Sequence, residues 1–195
     1  MYQVHYRDGV TPLSDVAESL EMLKDQGKIR YYGLSNIHKE DMEELKQFKV
    51  NPFVSFQDEY SLACRKNENE MFNFRDNFDM TPFTWGSLGQ GILSGKYDKN
   101  CKFEANDRRS RDIYVNFHGE KLLKYLEIVE VLKEIAGETG KSVSSVAIRW
   151  ILDYLKDSVV IVGAKSPEQV LQNVEALSFQ LTEKQIERLE NISKE

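Results

Sequence analysis

The chain is poor in the residues that carry the strongest single signals. It holds two cysteines, Cys64 and Cys101, with no C-x-x-C and no Cys/His metal spacing. A disulfide framework and a thiolate metal centre therefore have no basis, and the pair reads as ordinary thiols of a reducing compartment. Basic residues are not in excess: 26 Lys and Arg stand against 32 Asp and Glu, a net charge of −6. This disfavours a general nucleic-acid binder, whose affinity rests on clustered cations. No run approaches the roughly 18 apolar residues that span a bilayer. The opening MYQVHYRDG lacks the basic head and apolar stretch of a signal peptide, so no membrane partner and a cytoplasmic location are expected. G-x-S-x-G, Walker and H-E-x-x-H motifs are absent, and His38 and His118 have no evident ligand partners, so no metal site is expected. What remains is 195 residues, 41% hydrophobic and 30% charged, without low-complexity tracts: a soluble globular protein of one domain or two small ones. A complete (β/α)8 barrel typically needs about 250 residues, and this chain is short for one.

Turn and cap chemistry divides the chain into alternating strands and helices. Tyr2 to His5 reads as a strand. Thr11 and Pro12 then open a helix through Leu13, Val16, Leu20 and Leu23 that Gly27 closes, with Thr11 as N-cap and Pro12 at N1. A strand over Ile29 to Leu34, a helix over roughly 38 to 48 and a strand from Phe53 to Gln57 follow. A weaker helical pattern spans Asn67 to Phe78, and a short strand runs from Pro82 to Trp85. From Leu88 to Asn116 the composition turns to Gly, Asn, Asp and Arg without periodicity. Such a long ordered loop inside a compact domain is often a cover over a site. Leu122 to Ile135 mark one helix, and Ser142 caps another through Trp150 and Tyr154. Val159 to Val162 is an uninterrupted apolar run, the mark of a strand buried on both faces. Ser166-Pro167-Glu168-Gln169 and Thr182-Glu183-Lys184-Gln185 are capping boxes for the last two helices. The whole reads as one α/β unit with mainly parallel strands.

Parallel α/β folds bind ligands at the carboxyl ends of their strands. Those ends carry His5, Ser35-Asn36, Gln57, Trp85-Gly86-Ser87 and Gly163-Ala164-Lys165. Carboxamides pair with an amide, an indole stacks on a flat ring, and a helix start beside a lysine attracts an anion, so a carboxamide-bearing aromatic ligand with a phosphate tail would suit the set. Each residue alone also has an ordinary structural reading, as turn, core or cap.

Taken in order, Tyr2 to His5, Gly27 to Asn36, Gln57 to Leu62, Leu88 to Tyr97 and Gly163 to Gln169 with Asn173 resemble the successive motifs of the aldo-keto reductase family over essentially the whole chain. The resemblance implies a (β/α)8 TIM barrel of which this chain supplies about strands four to eight, residues 1–195 forming a single incomplete barrel domain. It implies NADPH-dependent reduction of a small-molecule aldehyde or ketone. His5 matches the histidine that orients and polarises the carbonyl. Ser35, Asn36 and Gln57 match the holders of the nicotinamide carboxamide, and Trp85 the aromatic that stacks on that ring. Leu88 through Gln90 match the stretch crossing the pyrophosphate. Gly163, Lys165 and Ser166 match the 2′-phosphate clamp, which favours NADP over NAD, and Gln169 with Asn173 the adenosine end.

Two departures stand against the match. Trp85-Gly86-Ser87-Leu88 replaces the usual Tyr-Ser-Pro-Leu and loses a hydroxyl. The family's general acid Tyr, with its Lys and Asp, lies in the first three βα units, which find no counterpart here. Positioned acid catalysis is worth about 10²- to 10⁴-fold, so the chain alone is expected to be inactive or very weak. Tyr6 matches a substrate-pocket aromatic and does not replace that acid. Gly89-x-Gly91-x-x-x-Gly95 precedes a loop and not a helix, so it is no Rossmann fingerprint. Arg108, Arg109 and Arg111, interleaved with Asp107 and Asp112, read as salt bridges or a loop anchor. An open sheet leaves unpaired edges, so either a homo-oligomer or a complementing N-terminal segment is expected. The other reading open at this point is a non-catalytic half-barrel that binds nucleotide or acts by association.

Overall fold

The computed structural model describes residues 1–111 and 113–194. Five strands form one sheet whose spatial order follows chain order: β1 (Tyr2–Val4), β2 (Tyr32–Ser35), β3 (Ser55–Glu59), β4 (Thr81–Trp85) and β5 (Val159–Val160). β1 to β4 pair in parallel, and helices intervene: α1 (Leu13–Asp25), α2 (Lys39–Leu45), α3 (Glu68–Phe78), α4 (Gly119–Thr139), α5 (Val143–Tyr154), α6 (Pro167–Glu175) and α7 (Glu183–Ser193). This is the α/β architecture read from the sequence, because parallel neighbours need crossovers. Among the described residues, no helix is long and apolar enough to cross a membrane.

Two compact units divide the chain. The first takes Met1–Glu59, Lys66–Trp85 and Asp157–Val159. Its core joins Leu13, Leu20, Tyr32, Leu34, Phe53, Phe56, Met71 and Phe74, all 5% exposed or less. Tyr32 meets Phe53 edge-on at 5.4 Å, and Phe56 lies 5.3 Å from Phe74. The second takes Tyr60–Arg65, Gly86–Lys156 and Val160–Glu195. There Tyr60, Trp150 and Tyr154 stack in a column, with ring centroids 5.7 and 5.0 Å apart. The Arg65 guanidinium lies over Trp150 and Tyr154 at 5.3 and 5.1 Å. It donates to the Glu190 carbonyl, the Ser193 hydroxyl and the Tyr154 hydroxyl. A buried charge is tolerated here because acceptors, two of them in the last turn of α7, are aimed at it.

Several local readings hold and others shift. Ser142 caps α5 through its hydroxyl, Thr182 and Gln185 close the full box on α7, and Gly27 takes φ 70° just beyond α1. At the start of α1 the cap moves one residue on. The helix begins at Leu13 with Pro12 as N-cap, because the Thr11 hydroxyl is committed to Asp8 and Leu13 N–H goes to the Glu44 carboxylate, at 2.6 Å each. Helix α2 stops at Leu45, as Gln47 and Phe48 donate to carbonyls three residues back and tighten the turn. The strand expected over Ile29 to Leu34 spans Tyr32–Ser35, and the one expected from Phe53 begins at Ser55. The Val159 to Val162 run is not a strand buried on both faces. β5 has two residues, and Val159 and Ile161 are 43% and 39% exposed, because β5 is last in the sheet order and only one side is flanked.

Two predictions follow from the first unit. A Cβ on Gly33 would stand 2.2 Å from Ser55 Oγ and 2.5 Å from the Ser55 carbonyl. Gly33→Ala must push β2 from β3 and should cost about 3 kcal/mol, the upper end of overpacking penalties, read as a lower midpoint in urea unfolding. Asp8 accepts from the Thr11 hydroxyl and from the Thr11 and Val10 N–H groups, which draws its carboxyl down to about 2. A lowered folded pKa contributes stability that is full above the unfolded value near 3.9 and fades as pH falls toward 2. Carboxyl NMR should give a midpoint near 2 for Asp8, and Thr11→Val should raise it. An unchanged midpoint in that variant contradicts the assignment of the hydroxyl as the main cause.

Candidate functional site

In the first unit the parallel register aligns the strand ends. Ser35 pairs with Gln57, Gln57 with Phe83 and Glu59 with Trp85, and Val4 pairs with Leu34, so the following His5 stands level with Ser35. Alternation along each strand puts Ser35, Gln57 and Trp85 on one face. Asn36 turns out of β2 at φ 54°, a left-handed conformation that asparagine tolerates better than most side chains. Its N–H donates to the Gln57 carbonyl at 2.7 Å, and its Nδ2 donates to the His5 carbonyl at 2.9 Å and to Ser35 Oγ at 3.1 Å. Ser35 Oγ in turn donates to the Gln57 carbonyl at 3.2 Å. Ser35 and Asn36 thus lock the ends of β1, β2 and β3 together. The Gln57 carboxamide has no hydrogen-bond partner among the described residues, so its donors and acceptor are available to a ligand. The exposed His5 ring packs on Tyr6 at 4.5 Å between centroids.

His38 precedes α2, where its N–H donates to the Asp41 carboxylate at 2.8 Å. Its Nδ1 lies 3.5 Å from a Glu70 oxygen and 4.0 Å from buried Asp58. These acidic neighbours stand far from His38 in sequence, so spacing along the chain does not reveal them. Among the described residues no three His, Cys, Asp or Glu side chains gather in a way that could hold a metal ion.

The second unit holds a cavity of about 870 Å³. Two loops wall it: Gly86 through Gly91, in which Gln90 and Gly91 both take positive φ, and Ile161 through Lys165. Gln169, Gln172 and Asn173 of α6 complete one side. Of the residues singled out from sequence in this unit, Leu88, Gln90, Gly163, Lys165, Gln169 and Asn173 line the cavity, and Ser166 caps the helix beside it through its hydroxyl, 3.4 Å from Gln169 N. The Ser166 box is only half made. Gln169 Oε1 accepts from Lys165 N at 2.7 Å, and Asn173 Nδ2 reaches the Gly163 carbonyl at 3.4 Å. Both side chains therefore hold the glycine-containing loop in shape.

The sequence reading missed Lys96 and Arg108, which line the same cavity. Arg109 lines it too and is, as the sequence reading expects, the loop anchor. The Arg109 guanidinium pairs with Asp107, donates to the Tyr97 hydroxyl, and lies 4.7 to 5.8 Å from the rings of Tyr97, Phe103 and Phe117. His118 Nε2 lies 2.9 Å from the Arg109 carbonyl. The hydrogen bonds from Arg109 hold the Asp107 carboxyl well below the usual range, and the Lys165 charge adds to the effect. Asp112 lies outside the described residues. The long segment after Leu88 is thus an ordered wall, built from three short 3-10 turns at Gly89–Ser94, Arg108–Ser110 and Val115–Phe117.

Asn36 offers a test of the first cluster. Asn36→Ala loses two side-chain hydrogen bonds and strains the left-handed turn, at a cost of about 2 kcal/mol, while Asn36→Gly relieves the strain and should recover about half. Equal unfolding midpoints for the two variants would show that the backbone conformation contributes nothing.

Comparisons with known proteins bear on the family and the fold. The model of the aldo/keto reductase family matches residues 1–194. Aldo-keto reductase YhdN of Bacillus subtilis is 35% identical over 91% of this chain and 52% of its own length. The structure of a glycerol dehydrogenase from Gluconobacter oxydans superposes with a TM-score of 0.86 at 29% identity, over 97% of this chain and 57% of that one. An aldo-keto reductase from Klebsiella pneumoniae, solved in complex with NADPH, gives 0.73 at 25% identity over 99% and 58%. The chain spans a little over half the length of each. Its α/β fold with a five-stranded sheet is that of part of a (β/α)8 barrel, and the chain belongs to the aldo/keto reductase family.

Proposed function

We propose that this chain carries the cofactor-binding and carbonyl-orienting part of an NADPH-dependent aldo-keto reductase acting on a small aldehyde or ketone. The observation that carries the reading is the composition of the second unit's cavity: Lys96, Arg108 and Lys165 stand among glycine-rich loops with amide side chains beside them. Such a set suits phosphate oxygens, through charge and through backbone N–H groups that glycine leaves accessible. In the first unit the unpartnered Gln57 carboxamide and the left-handed Asn36 suit an amide. The residues present therefore fit NADPH. Ser35, Asn36, Gln57 and Trp85 would hold the nicotinamide end, Leu88 and Gln90 the pyrophosphate, Gly163, Lys165 and Ser166 the 2′-phosphate, and Gln169 with Asn173 the adenosine.

When bound, the dinucleotide supplies hydride. His5 would direct a ring N–H toward the carbonyl oxygen and so set which face of the carbonyl carbon meets the cofactor. Proton delivery needs a separate acid near that oxygen, and the first three βα units of the family, with their Tyr, Lys and Asp, find no match in this sequence. Full turnover on this reading requires those units from a complementing N-terminal segment, both units of this chain acting within one barrel domain. A homo-oligomer is the other way to cover the open sheet. A cytoplasmic setting is part of the same proposal.

NADPH binding followed by nicotinamide fluorescence should weaken about tenfold or more in Lys165→Met, the value of one charge-assisted contact, with NADH affinity little changed. NADPH oxidation with a reactive aldehyde should be at or near background for the chain alone, and any turnover should vanish in His5→Ala. Binding without turnover, unrelieved by the missing units, would favour the non-catalytic half-barrel. Equal loss of NADH and NADPH affinity in Lys165→Met would remove the 2′-phosphate assignment.

A further inference from the structure

His38 carries no part of the proposed cofactor site, yet three elements of the first unit close around it. The turn out of β2 runs Ser35-Asn36-Ile37-His38. Its strand side is pinned by the hydrogen bonds of Asn36 to Gln57, His5 and Ser35, and Ile37 is buried in the core. Its exit side is His38. The His38 N–H donates to the Asp41 carboxylate at the start of α2 at 2.8 Å, and Asp41 is held in turn by the Arg7 guanidinium. The ring meets β3 and α3, where Nδ1 lies 3.5 Å from Glu70 Oε2 and 4.0 Å from Asp58 Oδ2.

The two carboxylates are not equivalent. Asp58 follows Gln57 on β3, is buried, and has both oxygens supplied: Oδ1 accepts from the Glu59 N–H and Oδ2 from Asn67 Nδ2, at 2.7 Å each. Glu70 stands three residues after Asn67, the N-cap of α3, a position from which glutamate often reaches back to the cap N–H. Here its Oε2 is buried and has no hydrogen-bond partner among the described residues. A buried carboxylate oxygen without a donor is costly. Among the described residues the basic nitrogen within 4.0 Å of Glu70 is His38 Nδ1, and a proton on that nitrogen supplies the missing donor. A ring protonated at Nε2 alone would instead set a nitrogen lone pair against the carboxylate.

We propose that His38 is a positioning residue for the amide-binding edge: its Nδ1 proton, donated to Glu70 on a small rotation of the ring, ties the exit of the Asn36 turn to α3. Asp58 and Asn67 tie the strand of Gln57 to the start of the same helix, so Asn36 and Gln57 are held against one reference and need less ordering when a ligand arrives. The proposal rests on the reading of Ser35, Asn36 and Gln57 as holders of the nicotinamide amide.

The test combines NADPH titration by nicotinamide fluorescence with amide hydrogen exchange of the Asn36 N–H, both on the full chain. Asparagine places its Nδ2 where histidine places Nδ1, whereas serine caps a helix equally well but is too short to reach Glu70. His38→Ser should weaken NADPH binding about tenfold, the value of one charge-assisted hydrogen bond, and speed Asn36 exchange to a similar degree, while His38→Asn stays within about twofold of wild type. Glu70→Ala should reproduce the serine loss, and the double variant should add little to either. Nitrogen NMR should show a proton on His38 Nδ1. A serine variant as good as wild type reduces His38 to a cap and overturns the proposal, as does a ring protonated at Nε2 alone or an additive loss in the double variant. Faster exchange with unchanged NADPH affinity overturns the positioning role. A wild-type chain that binds no NADPH overturns the cofactor reading instead, and exchange then decides the tie: it stands if His38→Ser and Glu70→Ala speed Asn36 exchange alike, and falls if they do not.

Discussion

Parallel pairing without a register shift is the constraint on which the first unit depends. Once Val4 is set beside Leu34 and Ser35 beside Gln57, the residues that follow each strand emerge at one level, and chemistry from segments distant in sequence becomes local. The close contact of Gly33 with Ser55 is what permits that register, since a side chain larger than hydrogen would meet the neighbouring strand's carbonyl. The hydrogen bonds of Ser35 and Asn36 then fasten three strand ends to one another. A ligand amide would meet a prearranged edge, which lowers the ordering cost of binding.

The second unit solves a different problem, holding irregular backbone in place around a cavity with little regular structure to lean on. Arg109 does this from one side, seated among three aromatic rings and paired with Asp107. Gln169 and Asn173 do it from the other, spending side-chain groups on the backbone of the loop before α6. Charge placement is asymmetric as a result. Arg109 and Asp107 line the cavity while paired with each other, and Arg108 and Lys96 line it as well. Adjacent arginines thus share one wall while only Arg109 is seated among aromatic rings, which no inspection of residue type could assign.

What was legible in the sequence was mostly local. The caps Ser142 and Thr182 and the glycine after α1 announce helix limits because the bonds that define them close within a few residues. The candidate site residues stand out by position, as polar groups following apolar runs, and the family resemblance supplies the roles proposed for them. The failures are long-range. Thr11 satisfies the rule for an N-cap, yet Glu44 reaches Leu13 from another helix and Asp8 takes the threonine hydroxyl. An apolar run such as Val159 to Val162 records hydrophobicity and says nothing of whether a neighbour exists to cover it. The Glu70 oxygen near His38, the rings around Arg109 and the place of Arg108 likewise depend on packing between segments.

The guanidinium of Arg65 gives the carboxyl end of the chain a fixed length requirement. Its acceptors include the Glu190 carbonyl and the Ser193 hydroxyl in the last turn of α7 and a ring hydroxyl in the stacked column. Arginine does not discharge by losing its proton. Trimming that turn would take two acceptors from a permanent positive charge held over Trp150 and Tyr154, so the final helix is tied to the aromatic column it closes. Tags and fusions are accordingly compatible with residues beyond Ser193 and incompatible with loss of those before it.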